Sequence, residues 1–362
     1  METQRHVLVI RFSALGDVAM TVPVIRLLLQ QNPQLQITYL SVANVAPLFE
    51  GIERLHFYAA DLKGAHKGIR GLYRLHRELK SAVSFDSIAD LHQVVRTKIL
   101  RLFFAPFVKQ VAVLDKGRKE KKELTRIRNK VFKPLLSTFE RYARVFQQLG
   151  FPLDLGAPLE PAQPVTTLAT LQALKEEGYY LVGVAPFAKH QEKMYPLAQM
   201  KEVLQLLGQY PKVKIFLLGG RSEAATLEQW EQEFPTVRSW AGVMSFKEEI
   251  AHISELDVMV SMDSANMHLA SLVGVPVVSI WGATHPYAGF FGWNQSLDNA
   301  VQVALYCRPC SVFGNRPCYR GDHACMRSIE PSAIYDRIMH VLKENLLSKN
   351  QMTGRPGRGE LS

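Results

Sequence analysis

Residues 255–286 read ELDVMVSMDSANMHLASLVGVPVVSIWGATHP, and this stretch admits few folds. Val258–Met262 is a short, β-branched apolar run of the kind that a strand buried on both faces requires. It stops at Asp263 and Ser264, both strong helix N-caps. Asn266–Val273 then carries helical apolar periodicity, Gly274 ends it, Pro276 follows, and Val277–Trp281 reads as a second buried strand. Strand, tight turn, helix and strand in that order form a βαβ unit, so the helix starts at the carboxyl end of a parallel sheet. Its free N–H groups and the positive end of its dipole there favour a phosphate. On residue types alone, Asp263 and Ser264 serve equally well as plain caps, and His268 as a half-buried histidine.

The same alternation runs through the whole chain. His6–Phe12 reads as a first strand, turning through Ser13-Ala14-Leu15-Gly16-Asp17 into a helix over about Val18–Gln31, with Gly16 supplying backbone freedom. Ile37–Ser41, Arg54–Tyr58 and Ser87–Leu91 read as further strands. Pro152, Pro158, Pro161 and Pro164 then break the composition over Phe151–Val165, which is linker chemistry. Beyond it the pattern restarts, with a strand at Tyr180–Ala185, a helix from about Leu197 to Gln209 and a strand at Lys214–Leu218. Two βα halves joined by a proline-rich connector predict an α/β protein of paired Rossmann-like domains facing a cleft. The expected boundaries are 1–155, a linker over 156–170, 171–330, a helix over 331–347 crossing back to the first domain, and a disordered tail over 348–362.

Length and composition suit this reading. At 362 residues, 47% of them hydrophobic and 21% charged, two domains can each bury a core. METQRHVLVIRF lacks a secretory h-region, and no apolar run approaches the roughly 20 residues that span a bilayer, so a cytoplasmic protein is expected. The net charge of +10 is concentrated: residues 115–133 hold nine Lys or Arg against three acids. That excess implies a polyanionic partner (nucleic acid, an anionic membrane or a phosphorylated acceptor), with a solvated helix face as the plainer reading. Leu102–Phe107, LFFAPF, reads as core, with a membrane-interface segment as the alternative.

Motifs carry the chain to a family. The strings D-S-A-N-M-H-L-A, V-G-V-P and W-G-A-T-H-P, together with R-F-S-A-L-G-D-V-A-M-T-V-P near the amino terminus, resemble the signatures of glycosyltransferase family 9, the ADP-heptose:lipopolysaccharide heptosyltransferases. Ala265 stands where that family usually has Gly. The resemblance implies a GT-B fold, with Asp17 as catalytic base. A carboxylate at a helix start is ionised but weakly basic, so its help comes as the attacking hydroxyl becomes acidic. From residues alone Asp17 is an N-cap or first-turn acid.

The resemblance likewise places the donor against Lys193, Glu223, Met244 and the turn Asp263, Ser264, Ala265, Asn266, Met267 and His268. Lys193 matches the family's phosphate-binding lysine, while Ala188 and Lys189 replace its usual hydroxyls. Glu223 falls near the ribose and Met244 near the base; first-turn acid and core methionine are the plainer alternatives. Ser13, Gly16, His92, Gln93 and Arg96 fall on the acceptor side, joined by Lys119, Lys121 and Lys122 of the basic run. Ordinary loop surface accounts for His92 and Arg96 nearly as well.

An inverting transfer of a heptose or related sugar from an ADP-sugar to the lipopolysaccharide inner core is therefore expected, peripheral at the inner membrane face and without nucleic acid. A nucleotide-sugar epimerase of GT-B fold and a basic nucleic-acid-binding protein are the alternatives. No Asp-x-Asp occurs in the chain, so no divalent ion is expected, a lysine and a helix start taking its place. Cys307, Cys310, Cys318 and Cys325 have spacing compatible with a structural zinc, though the last two form no CxxC.

Overall fold

The computed structural model describes residues 4–164 and 168–353. The chain divides into two compact units, Met1–Gly117 with Leu136–Glu160, and Arg118–Leu135 with Pro161–Ser362. The first holds five strands: β1 (Arg5–Ile10), β2 (Leu35–Ser41), β3 (Leu55–Ala59), β4 (Ser87–Asp90) and β5 (Gln110–Val113). Their order is β3-β2-β1-β4-β5, and every pairing is parallel. The second holds six: β6 (Tyr180–Ala185), β7 (Val213–Leu217), β8 (Val237–Ser239), β9 (Val258–Met262), β10 (Val277–Trp281) and β11 (Ala300–Gln302). Their order is β11-β10-β9-β6-β7-β8, again all parallel. This is the doubled Rossmann-like, GT-B class of α/β fold expected from sequence.

Each sheet reverses its strand order once, between β1 and β4 in the first and between β6 and β9 in the second. Open α/β sheets bind ligands at such points, outside the carboxyl ends of the strands. Register brings the right residues there, with Ile10 opposite Asp90 and Ala185 opposite Ser261.

Helical periodicity covers the sheets. In the helix Gly68–Ala82, Leu72, Leu75 and Leu79 face the first core, joined by Leu8, Ile10, Ile88 and Phe104. In the helix Pro331–Thr353, Ile334, Ile338, Val341 and Leu342 are almost wholly buried in the second core. Each such side chain contributes roughly 1.5–3 kcal/mol by leaving water. That helix therefore packs on the second sheet and belongs to the second unit. It also runs through residues 348–353 of the expected disordered tail, whose remaining residues 354–362 lie outside those described.

Other expectations shift at the element ends. The first helix begins at Leu15 and is divided at Met20 into Leu15–Ala19 and Thr21–Gln31. Gly16 is helical there and uses none of glycine's left-handed freedom. Arg54 stands before β3 in a left-handed turn, at φ 61°, instead of opening the strand. Leu102–Phe107 is not core throughout: Phe104 is buried, but Leu102 and Phe107 are 72% and 50% exposed. The basic segment Arg118–Leu135 belongs to the second unit, and the units meet in sequence inside the proline-rich linker, at Glu160 and Pro161. No helix among the described residues is long and apolar enough to cross a membrane.

Candidate active site

In the first unit, β1 delivers Arg11 and Phe12 to the switch point, and the chain turns through Ser13 and Ala14, joined by a cis peptide bond, into Leu15–Ala19. Asp17 lies in that first turn, and its Oδ2 is 2.7 Å from Nη2 of buried Arg11. The same oxygen accepts the Ala14 N–H at 3.3 Å. Tyr142, wholly buried, donates its hydroxyl to the Asp17 carbonyl at 3.1 Å. Arg11 also donates to the Leu91 carbonyl, so a buried cation tied to the end of β4 fixes the carboxylate. Asp17 keeps 27% of its side chain exposed, and among the described residues no hydrogen bond falls on Oδ1.

β4 supplies the other wall. Oδ1 of fully buried Asp90 accepts the N–H groups of His92 and Gln93 at 3.0 and 2.8 Å, and its Oδ2 is 3.1 Å from Nε of Arg101. Held in this way, His92 takes the Phe12 N–H on Nδ1 at 3.4 Å and presents Nε2 to Ser13 Oγ at 3.3 Å. Burial, then the nearby Arg11 and Lys116, push the His92 imidazole down to about 4, so it is neutral at neutral pH. With Nδ1 accepting, Nε2 carries the proton and donates to Ser13. Lys116 donates to the Gln93 carbonyl at 3.2 Å. Ser13, Asp17, His92 and Gln93 are thus gathered at one end of the first sheet, with Gly16 in the helix turn and Arg96 exposed on the helix Val95–Phe104.

The second unit repeats the arrangement around β6 and β9. After β6 the chain forms a short turn, Gln191–Lys193, and Nζ of Lys193 lies 3.1 Å from Oδ2 of Asp263, the residue after β9. Both side chains are largely buried, at 13% and 9% exposure. Ser264 occupies the N-cap position of the helix Ala265–Leu272, yet its hydroxyl meets Ser261 Oγ at 2.9 Å and caps no N–H of the first turn. Ser264, Ala265 and Asn266 are half-buried, while Met267 and His268 are buried behind them. A helix start left uncapped by its own side chain, beside an ammonium group, is a site for an anion.

Neighbouring loops converge on the same end of the sheet. After β7, the Glu223 carboxylate accepts the Gly220 N–H and folds over the two glycines, so it shapes that loop. Met244, after β8, is half-buried and lies outside the hydrophobic cluster. After β10 comes Gly282-Ala283-Thr284-His285, which sequence reasoning quoted without assigning roles. The Thr284 hydroxyl is buried there with no hydrogen-bond partner among the described residues. Arg308, also unanticipated, is buried and clamps this loop by donating to the carbonyls of Trp281, Gly282 and Thr284. Arg11 was equally overlooked, although a charged residue directly following an apolar strand was the available signal.

Of the three basic-run residues placed on the acceptor side, Lys119 and Lys122 are exposed in the second unit. Lys121 is buried, with Nζ 4.2 Å from the Phe290 ring centroid. The four cysteines are free and line one cavity of about 10 Å³, room for a single water. Burial pushes the Cys325 thiol up to about 11 and raises Cys310 as well. Among the described residues no group of three or more His, Cys, Asp or Glu is arranged to hold a metal ion.

A pair of parallel α/β units, each with its polar residues collected where strand order reverses, is the layout of the GT-B glycosyltransferases. The model of glycosyltransferase family 9 (heptosyltransferase) matches residues 72–317, and the chain belongs to that family. It is 24% identical over 320 residues to the lipopolysaccharide core heptosyltransferase OpsX of Haemophilus influenzae, covering 83% of this chain and 85% of that protein. Among solved structures it is similar to the family 9 glycosyl transferase of Veillonella parvula, with TM-score 0.72 and 19% identity over 95% of this chain and 99% of the other. It is also similar to the E. coli ADP-heptose lps heptosyltransferase II, with TM-score 0.67 and 17% identity over 94% and 99%.

Proposed function

We propose that this chain transfers a heptose, or a closely related sugar, from an ADP-sugar to the inner core of lipopolysaccharide, inverting the anomeric centre in one displacement. Membership of family 9 and the activities named for its relatives support that substrate pair over an epimerase or a nucleic-acid-binding protein. The observation that carries the chemistry is the uncapped helix start at Ser264 beside Lys193 and Asp263.

Cleaving a sugar–diphosphate bond places negative charge on the departing nucleoside diphosphate. First-turn amides and the Lys193 ammonium supply fixed positive potential where that charge grows, and neither reorganises during the reaction. Asp263 orients the ammonium. This division of labour gives the transfer no need of a divalent ion. Asp17, fixed through Oδ2 by Arg11, accepts the acceptor hydroxyl proton on Oδ1 as that oxygen attacks. His92, neutral and donating to Ser13, shapes the surface for a polar acceptor without adding charge. The enzyme works in the cytoplasm, meeting its lipid-borne acceptor at the inner membrane face.

Asp17→Asn tests the assignment. Turnover should fall about a hundred- to ten-thousandfold, the range of a lost general base, while ADP binding by calorimetry is unchanged. Turnover near wild type would remove Asp17 from the reaction. Product made by the wild type in excess EDTA, with the anomeric configuration opposite to the donor's by NMR, is expected; retention, or loss of activity restored by one added cation, would overturn the metal-free inverting step.

A further inference from the structure

The transfer chemistry leaves unused a groove of about 950 Å³ on the first unit, between the helices Gly68–Ala82 and Val95–Phe104. Tyr73, Arg74, Arg77, Lys80, Phe103 and Phe107 line it. Two properties of this surface are unusual together. Its lining exposes Tyr73 at 53% and Phe107 at 50%, and the two helices that flank it expose Ile69 at 65% and Leu102 at 72%. It is also strongly basic, since residues 63–80 contain Lys63, Lys67, Arg70, Arg74, Arg77 and Lys80 against the single acid Glu78. That glutamate is already engaged by the Tyr58 hydroxyl and His66.

The pattern follows from helix periodicity. Leu72, Leu75 and Leu79 anchor the helix to the core, which turns Arg70, Arg74 and Arg77 to solvent and sets Ile69 and Tyr73 beside them. Of LFFAPF, Phe104 lies in the core and Phe103 packs against it, while Leu102 and Phe107 are exposed. Lys80 Nζ sits 3.3 Å from the Phe107 ring centroid, so cations and rings interleave.

We propose that this face docks on an anionic phospholipid bilayer, Leu102, Phe107 and Tyr73 entering the headgroup boundary while the arginines and lysines meet lipid phosphates. Charge complementarity and the apolar centre select this occupant. Nucleic acid would use the cations but would leave Leu102 and Ile69 in water. The run at 115–133 is less suited, because Lys121 is buried against Phe290 and Lys130 donates to the carbonyls of Cys307 and Pro309. The inference deepens the transferase reading by naming the surface that meets a membrane-borne acceptor, and rests on that reading only for its purpose.

Vesicle flotation of the full chain tests it without turnover. Vesicles of phosphatidylglycerol and phosphatidylethanolamine should carry the protein, phosphatidylcholine vesicles should not, and added salt should release it. Each cation removed should weaken partitioning about fivefold, so Arg70→Ser/Arg74→Ser/Arg77→Ser loses roughly a hundredfold. Leu102→Ser/Phe107→Ser should weaken it tenfold or more through lost insertion. Both variants change exposed side chains, so melting and transfer to a water-soluble acceptor should match wild type. Leu102→Trp should shift its fluorescence to the blue on anionic vesicles and not on a DNA duplex. The proposal falls if wild type ignores anionic vesicles at low salt, if both multiple variants float like wild type, or if the tryptophan responds to DNA and not to lipid. Loss of transfer to the soluble acceptor with flotation intact would count against the transferase reading alone.

Discussion

Two ion pairs stand at the proposed site at the level of single residues: Arg11 with Asp17, six positions on, and Lys193 with Asp263, 70 positions on. Arg11 is tied to Asp17 and, through the Leu91 carbonyl, to the end of β4. It touches no substrate in this reading, so its role is to position. Arg11→Met should lower kcat ten- to a hundredfold with ADP affinity intact, and Arg11→Lys should recover part of it; a rise in KM with unchanged kcat would show that Arg11 binds instead. Lys193 and Asp263 make a different test, because neither is free to lose its partner. Lys193→Met leaves a carboxylate stranded at 9% exposure, at a cost of roughly 3 kcal/mol. The double variant Lys193→Met/Asp263→Asn should regain most of that stability in urea melts while ADP affinity stays lost, which separates the structural share of the pair from its share in binding. The family resemblance, not spacing, draws attention to Lys193, Asp263 and Asp17 one by one. The pairing of the lysine was not legible: 70 residues separate Lys193 from Asp263, and nothing local in either segment encodes the meeting.

Among elements, the βα alternation could be read because buried parallel strands are mainly apolar runs, and β1, β6, β9 and β10 announce themselves in that way. The edge strands β8 and β11, three residues each, and half-exposed β5 bury too little to leave such a mark. Ser264 shows the limit of capping rules. Residue type places it correctly at the helix start, but the Ser261 hydroxyl engages its side chain, which caps no N–H of the first turn. The cysteine-bearing segment touches Lys193. Gly314, at φ +71°, lies against the Lys193 stem so closely that an added Cβ would stand 2.3 Å from Cγ. Gly314→Ala should therefore cost about 1 kcal/mol or more in backbone strain and also displace the ammonium. ADP affinity should fall several-fold although no charge has been removed. Calorimetry showing wild-type affinity in a destabilised Gly314→Ala protein would detach this segment from donor binding.

Over the whole chain, sequence showed two units but misassigned residues 118–135, because a mixed-charge run carries no periodicity that says which core it joins. Both units nevertheless share one electrostatic liability, a neutral histidine held among cations. In the first unit it is His92, beside Arg11 and Lys116; in the second it is His285, beside Arg308 and Lys130, and burial together with these neighbours pushes each to about 4. His6 and His76 are lowered as well, chiefly by burial. In the unfolded chain an imidazole protonates near 6.5. Between these limits the unfolded state binds protons that the folded state refuses, so the stability present above about pH 6.5 is lost progressively as pH falls toward 4. Urea midpoints measured at half-unit steps should trace that decline. His92→Gln should flatten it for the first unit's transition and His285→Gln for the second's, since each removes one proton acceptor from one unfolded segment. Imidazole resonances give the direct reading: those of His92 and His285 stay neutral well below pH 6 in wild type, and one of the two is missing in each variant. An unchanged acid slope in the double variant would mean that both rings are hydrated enough to titrate normally, and His92 would then be no fixed neutral donor to Ser13 at working pH.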